Sequence, residues 1–236
     1  MLPLRDNVPT RQFPIVTVAL IVANVLVYLW ESGGPGLEAN VYEWGYYPCD
    51  IEGPCLGPAV GHAPLWQMAF TSMFMHGGIV HLGGNMLFLW IFGNNVEDSM
   101  GRVKFLLWYL AAGLAATVVQ TYVTLQFGNA QDASIPNVGA SGAITGVLGA
   151  YLVLLPRASV LTAIILGFFF FLREIPAIFF LGIWFLFQLI EGGFAIIQPE
   201  AGGGVAFFAH VGGFVFGAAT VLLVATRRPP AQVVRW

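Results

Sequence analysis

The sequence predicts an all-α polytopic membrane protein with six transmembrane helices and with both termini in the cytoplasm. Of its 236 residues, 58% are hydrophobic and only 9% are charged. A soluble domain carries about 25% charged residues, so this chain lacks the polar side chains that would cover a water-facing surface. The composition therefore excludes a soluble enzyme, a nucleic-acid-binding protein and a disordered chain.

Six predominantly apolar stretches account for the predicted spans, since a helix needs about 20 such residues to cross a bilayer. They lie at about 13–30, 79–96, 103–127, 139–155, 175–197 and 205–225. The first stretch follows Arg5 and Arg11 and has no small-residue cleavage site after it, so we interpret it as a retained helix rather than a signal peptide. We predict one membrane-embedded domain over residues 1–236.

The basic residues decide the number and the orientation of the spans, because cytoplasmic loops carry an excess of Lys and Arg. With six spans, and with 159–172 not crossing, all nine basic residues fall on the cytoplasmic side. If 159–172 crossed the membrane, Arg173 and the three C-terminal arginines would lie outside. We therefore interpret 159–172 as an interfacial or re-entrant cytoplasmic segment.

This orientation brings polar residues of three helices to one depth, because the second, fourth and sixth spans all begin at the outer face. The second opens with HLGGN, which places His81 and Asn85 at i and i+4 on one helix face. Ser141 stands in GASG at the start of the fourth span, and His210 lies about one turn into the sixth. Strongly polar groups inside a membrane usually face the protein interior or a water-filled cavity.

Together these four residues favour nucleophilic catalysis. Ser and His supply a nucleophile and a general base, and His81, Asn85 and the backbone N–H of Ser141 supply donors for an oxyanion hole. Taken singly, each has an ordinary explanation, since a lone His or Asn in a membrane often only bonds a neighbouring helix. Their coincidence at one depth favours the chemical role.

Glycines beside these residues predict close helix packing. Gly139 and Gly142 flank Ser141, and Gly142 with Gly213 and Gly217 of the sixth span form small-xxx-small faces that let two backbones approach. Ser has a short side chain and needs this approach to reach a histidine on the sixth span.

A carboxylate partner for His210 is not expected. Glu97 and Asp98 lie about 24 Å beyond His81 along a helix with a rise of 1.5 Å per residue. We therefore predict a dyad of Ser141 and His210, in which the imidazole is oriented by packing or by a neutral hydrogen bond.

Three motifs, in this order and on alternate helices, resemble those of the rhomboid family of intramembrane serine proteases. They are HGGIVHLGGN, which begins at His76, then GASGAITG around Ser141 and AHVGGFVFG around His210. The similarity extends from Trp66 to about Gly217.

The resemblance implies a six-helix core and a water-filled cavity that opens outward. It also implies that Ser141 is the nucleophile, His210 the general base, and His81 and Asn85 the oxyanion-hole donors. The implied activity is cleavage of transmembrane segments of membrane-protein substrates. Relatives without activity lack the Ser or the His, whereas this chain has both.

Two positions depart from the family pattern. Many members have Trp-Arg in the first outer loop, where this chain has Trp66-Gln67. Some members carry a Tyr that packs on the catalytic His four residues after the nucleophile, where this chain has Thr145. Some other residue must then orient His210.

The implied partners are membrane proteins with a transmembrane segment and the lipid bilayer, in a prokaryotic cell membrane. We expect no cofactor, no nucleic-acid partner and no metal, since His62, His76, His81 and His210 form no compact ligand set and HExxH is absent. One alternative is a non-catalytic relative that binds transmembrane helices, which the Ser/His pair argues against. A small transporter is disfavoured because no inverted repeat is present.

The outer loops leave three questions open. Cys49 and Cys55 lie on the oxidising side, where they either remain free or close a small ring. The segment 64–74 is either half immersed in the interface or simply packed on the protein. Residues 198–208 form either a glycine-rich lid over the cavity or an ordinary loop.

Overall fold

The computed structural model describes residues 1–53, 55–56, 63–167, 169–197 and 206–226. His62, most of the segment interpreted as a lid (198–205) and the three C-terminal arginines lie outside the described residues. In chain order the elements are β1 (Leu2–Asp6), α1 (Ile15–Glu31), α2 (Leu37–Trp44), α3 (Leu65–Thr71), α4 (Ile79–Met100), α5 (Arg102–Phe127), α6 (Ala130–Ala133), α7 (Ser141–Leu154), β2 (Ser159–Leu166), β3 (Phe169–Pro176), α8 (Ala177–Ile197) and α9 (Phe207–Val224).

Helices occupy all six positions predicted as spans. Among the described residues, α5, α8 and α9 are each long and apolar enough to cross a membrane. Helix α4 also meets this criterion when it is taken together with the helical segment Leu65–Phe74 before it, from which it is bent by 79°. The helices α1 and α7 are apolar but shorter, with 17 and 14 residues. The fold is thus a polytopic bundle of membrane helices.

The expectation of an all-α fold is wrong at one end of the bundle, where β1, β2 and β3 form an antiparallel sheet in that order. The segment 159–172, predicted to be interfacial or re-entrant, is most of a β-hairpin, and the predicted fifth span loses residues 175–176 to β3. Strand β2 reads SVLTAIIL and β3 begins FFFL, and such β-branched and aromatic runs favour extended strands. Gly167, with φ +59°, makes the turn.

The N-terminal strand is fastened to the same end of the bundle as this hairpin. Asp6 of β1 accepts hydrogen bonds from the Tyr151 hydroxyl of α7 at 2.6 Å and from Asn95 Nδ2 of α4 at 2.8 Å. Glu97 of α4 caps the start of α1, accepting from the backbone N–H and the hydroxyl of Thr17, each at 2.8 Å. The N-terminus, the hairpin and the C-terminal ends of α4 and α7 therefore share one end of the molecule.

Helix α7 lies at the centre of the bundle, with every residue from Gly142 to Tyr151 buried. Its glycines pack directly on α9. A Cβ atom added to Gly213 or to Gly217 would overlap the carbonyl oxygen of Gly142 or Gly146, respectively. This contact without side chains holds the start of α9 against the start of α7.

At the opposite end, the long connection between α1 and α4 packs on the chain before α7. Cys49 and Cys55 form a disulfide in this connection. Tyr46 and Asn137 exchange two backbone hydrogen bonds of 3.1 and 2.8 Å. Within α3, Met68 is buried whereas Trp66 is 71% exposed, so one face of this short helix packs on the protein and the other is free.

Candidate active site

Ser141 is the first residue of α7, and the backbone before it is shaped by Gly139. Gly139 has a φ of +130°, a conformation that L-residues rarely adopt. A Cβ atom at this position would also lie 2.9 Å from Cε1 of the His81 ring. Position 139 therefore requires glycine for two reasons. The turn that leads into Ser141 needs its backbone conformation, and the His81 ring leaves no space for a Cβ atom.

The Ser141 hydroxyl meets an imidazole of the neighbouring helix. Its Oγ lies 2.9 Å from Nε2 of His210, which stands in the first turn of α9. The small residues between α7 and α9 allow this distance, since a side chain at Gly213 would drive the two backbones apart. A neutral imidazole with a free Nε2 lone pair accepts the serine proton in this arrangement.

The other ring nitrogen of His210 contacts an uncharged side chain. Its Nδ1 lies 2.7 Å from Oε1 of Gln188 on α8. Trp184, one turn earlier on α8, lies beside the imidazole with its ring centroid 6.0 Å away. Among the described residues, the ring's hydrogen-bond partners are thus two neutral side chains, Ser141 and Gln188.

His81 and Asn85 of α4 face the same space as Ser141 and His210. All four line a cavity of about 220 Å³ between α4, α7, α8 and α9. The Nδ2 of Asn85 is buried and has no hydrogen-bond partner within the described part of the chain. Buried donors are nearly always satisfied, so a donor left unpaired in a residue that lines the cavity is a candidate partner for a ligand atom.

A second, smaller cavity of about 40 Å³ also touches Ser141. Its lining includes the polar residues Ser72, Thr117, Gln120 and Asn137. A polar space of this volume is large enough to hold water.

His76, in the first of the three motifs, lies beside this site rather than in it. Its backbone N–H donates to Oε1 of Glu31 at 2.9 Å, and its Nδ1 lies 3.2 Å from the carbonyl oxygen of Phe74. Its ring packs edge-on against His81 at a centroid distance of 5.1 Å. His76, in the connection that precedes α4, therefore supports the His81 ring by packing against it.

The sequence reasoning missed Gln188. Its signal was present, since Gln188 interrupts an otherwise apolar stretch of α8, which is the argument that singled out Asn85 on α4. Trp184 of α8 both contacts the His210 ring and lines the cavity. Thr145, at the position that departs from the family pattern, bonds the carbonyl oxygen of Gly142 at 2.8 Å.

Potential metal ligands cluster at one place among the described residues. Ligand atoms of Cys49, Asp50 and Cys55 lie within 4.8 Å of one another. Both sulfur atoms belong to the disulfide, so they are not available as thiolate ligands.

Comparison with known proteins shows which family the chain belongs to. The family model described as the Rhomboid domain matches residues 63–227, which is more than half of the chain. The matched region includes all three motifs and both residues of the Ser–His contact.

Individual relatives agree with the family match. Rhomboid protease GluP of Bacillus subtilis (strain 168) is 41% identical over 87 residues, which cover 37% of this chain and 15% of that protein. The Presenilin-associated rhomboid-like protein, mitochondrial, of Homo sapiens is 31% identical over 209 residues, covering 84% and 45%. Rhomboid protein 1, mitochondrial, of Saccharomyces cerevisiae is 30% identical over 148 residues, covering 62% and 38%.

In each of these relatives the matched part is less than two thirds of the relative's own length. The family model, in contrast, matches the region in which Ser141 and His210 meet. The chain belongs to the rhomboid family, and it is an integral membrane protein.

Proposed function

We propose that this chain is an intramembrane serine endopeptidase that cleaves transmembrane segments of other membrane proteins. The observation that carries the proposal is the 2.9 Å contact between Ser141 Oγ and His210 Nε2 inside a cavity of a membrane-helix bundle. A serine that only packs two helices needs neither an imidazole partner nor a cavity beside it.

The proposed reaction begins when Ser141 Oγ attacks the scissile carbonyl carbon while its proton passes to His210 Nε2. The carbonyl oxygen becomes an oxyanion, stabilised by the side chains of His81 and Asn85 and by the Ser141 N–H. His210 then gives its proton to the leaving amine, the C–N bond breaks, and an ester with Ser141 remains.

Water completes the reaction by hydrolysing this ester. His210 removes a proton from the water as it attacks the acyl carbon, and returns it to Ser141 Oγ when the C–O bond breaks. The polar cavity of about 40 Å³ beside Ser141 supports this step, since it offers room for water at the acylated residue.

The substrate is proposed to enter sideways, between α4 and α8. Residues of both helices, among them Val80, Phe88 and Trp184, line the cavity that holds Ser141. A transmembrane helix that unwinds locally at this place brings a peptide bond to the nucleophile without leaving the membrane.

The proposed topology has six spans, with both termini in the cytoplasm of a prokaryotic cell. In its support, β1, the hairpin and thus Arg5 and Arg173 share one end of the molecule. Among the described residues the outer edge of β3 has no partner strand, and such open edges do not cross the hydrocarbon core. Helix α7 is about 21 Å long against a core of about 30 Å, so Ser141 at its outer end lies below the membrane surface.

The experiment that tests this function is cleavage of a single-span model substrate in liposomes. The wild-type protein is compared with Ser141→Ala and His210→Ala, and with Ser99→Ala as a matched control, since Ser99 is buried near the far end of α4 and bonds within that helix. We expect cleavage by the wild type and the control, and a loss of at least about 1,000-fold in the two site variants.

Cleavage by Ser141→Ala at the wild-type rate would contradict the assignment. Binding of the substrate by the wild type without any cleavage would favour the non-catalytic alternative, a relative that only holds transmembrane helices.

A further inference from the structure

The His210 imidazole is held from the side opposite Ser141 by a residue of another helix. Gln188 of α8 is only 9% exposed, and its Oε1 lies 2.7 Å from His210 Nδ1. The bond joins two elements that are far apart in the sequence, and it is made in the interior of an apolar bundle. A buried amide in such a place requires a partner, and here the partner is the proposed base.

We propose that Gln188 is a positioning residue that fixes the tautomer and the ring orientation of His210. This inference rests on the proposed function. A carbonyl oxygen accepts hydrogen bonds, so the proton of the neutral imidazole belongs on Nδ1 when Oε1 of Gln188 faces it. Nε2 then carries the free lone pair and accepts the proton of Ser141 Oγ, which lies 2.9 Å away.

The opposite tautomer is unproductive. With the proton on Nε2, the imidazole would donate to Ser141 and could not accept its proton, and Nδ1 would face the Oε1 lone pairs without a hydrogen between them. With its amide oriented as observed, Gln188 therefore disfavours the inactive tautomer, which is the role that a buried carboxylate has in a Ser-His-Asp triad.

A neutral partner differs from a carboxylate in its electrostatic effect. A carboxylate at this position would stabilise the charged imidazolium and would itself be costly inside the bundle. The Gln188 amide orients the ring without adding a charge.

The stacking of α8 on α9 keeps Gln188 in reach of the base. Trp184 lies 6.0 Å from the His210 ring, and Phe185 stacks on Phe214 of α9 at 4.3 Å. A displacement of α8 by about 1 Å would stretch the bond between Gln188 and His210 beyond hydrogen-bond distance. The orientation of the base thus depends on a residue contributed by α8.

Two substitutions separate this role from simple packing. Gln188→Leu keeps most of the volume and removes the acceptor, whereas Gln188→Glu keeps an acceptor and adds a charge. Leu186→Ala, on the lipid-facing side of α8 where Leu186 is 55% exposed, is the matched control. Each variant is assayed for cleavage in liposomes and for labelling of Ser141 by a small fluorophosphonate, which needs no substrate helix.

We expect Gln188→Leu to lower kcat for cleavage and the rate of labelling by the same factor, about tenfold, with KM unchanged. In Gln188→Glu we expect near wild-type rates at high pH and an acid limb of the pH profile that lies at higher pH, because the carboxylate stabilises the imidazolium. The control should behave as the wild type in both assays.

The proposal is overturned if Gln188→Leu is labelled at the wild-type rate, or if its cleavage falls only through KM. Should Gln188→Leu fail to fold, an unchanged pH profile in Gln188→Glu overturns it as well. Ser141→Ala, measured in parallel, keeps the two claims apart. If that variant still cleaves, the proposed function fails; if it is inactive while Gln188→Leu is unimpaired, only the inference about Gln188 fails.

Discussion

Asn85 carries a buried side-chain donor that is unpaired within the described part of the chain. Asn85 also lines the cavity that contains Ser141 and His210. An unpaired buried donor costs free energy in the resting protein, and this cost is regained if the oxyanion of the transition state becomes the partner. The residue is therefore expected to matter more for catalysis than for folding.

The variant Asn85→Ala tests this division. We expect kcat to fall about 100- to 1,000-fold, the usual effect of removing one oxyanion donor. The melting temperature in detergent should remain near that of the wild type, because Nδ2 donates no hydrogen bond within the described part of the chain. A fall in kcat that is accompanied by a large fall in melting temperature would contradict the oxyanion role. It would indicate that Asn85 serves mainly in packing.

The sequence predicted the four site residues because a single rule, that polar side chains in apolar helices mark a site, was enough to find them. Polar side chains in apolar helices stand out, and the orientation of the spans brought Ser141, His210, His81 and Asn85 to one depth. The partner of Nδ1 was not predicted, because a hydrogen bond between two helices depends on their rotation about their axes. Hydropathy alone does not determine that rotation, although Gln188 was visible as a polar residue in an apolar stretch.

Among the secondary-structure elements, the sheet was the feature that hydropathy did not predict. A run of 14 apolar residues fits a short helix and a buried hairpin equally well, and periodicity does not separate them. The separating signal was composition, since half of the eight residues of β2 are β-branched and β3 begins with three phenylalanines. The pairing of β1 with β2 joins residues more than 150 positions apart and had no local signal.

Strand β1 is held in place by the carboxyl group of Asp6, whose charged form is destabilised by burial. Burial raises the pKa of Asp6 to about 6, against its ordinary value of 3.8, although hydrogen bonds from Tyr151 and Asn95 oppose the shift. The folded protein therefore binds this proton more tightly than the unfolded chain does. The corresponding stability is fully present below about pH 4 and is lost as the pH rises through about 6.

The variant Asp6→Asn removes this titration while keeping a carbonyl acceptor for Tyr151. We expect the melting temperature of the wild type, measured relative to the variant in the same detergent, to decrease between pH 4 and pH 7. A difference in melting temperature that stays constant over this range would show that Asp6 does not titrate as described.

At the scale of the whole molecule, the segments that carry the basic residues lie together at one end of the fold. The basic residues Arg5, Arg157 and Arg173 all belong to the end that carries the sheet, or lie next to it. The opposite end holds the disulfide-bonded connection and the start of α7. Lengths and hydropathy leave the count of spans open, because α1 and α7 are shorter than an isolated span.

Labelling of single cysteines tests the proposed topology. The native cysteines are disulfide-bonded, so an introduced thiol reacts selectively. In intact cells, a membrane-impermeant maleimide should label Gln131→Cys, in the connection between α5 and α7, and should leave Glu174→Cys unlabelled until the cells are opened. Labelling of Glu174→Cys in intact cells would mean that the hairpin lies outside.

The central claim is that Ser141 is a nucleophile activated by His210, and covalent labelling tests it most directly. The wild-type protein is treated with a fluorophosphonate, and the modified residue is identified by mass spectrometry of the intact protein and of its peptides. We predict one adduct, on Ser141, that is absent in Ser141→Ala and at least about 100-fold slower to form in His210→Ala. An adduct on another residue, or labelling of Ser141 at an equal rate without His210, would contradict the account.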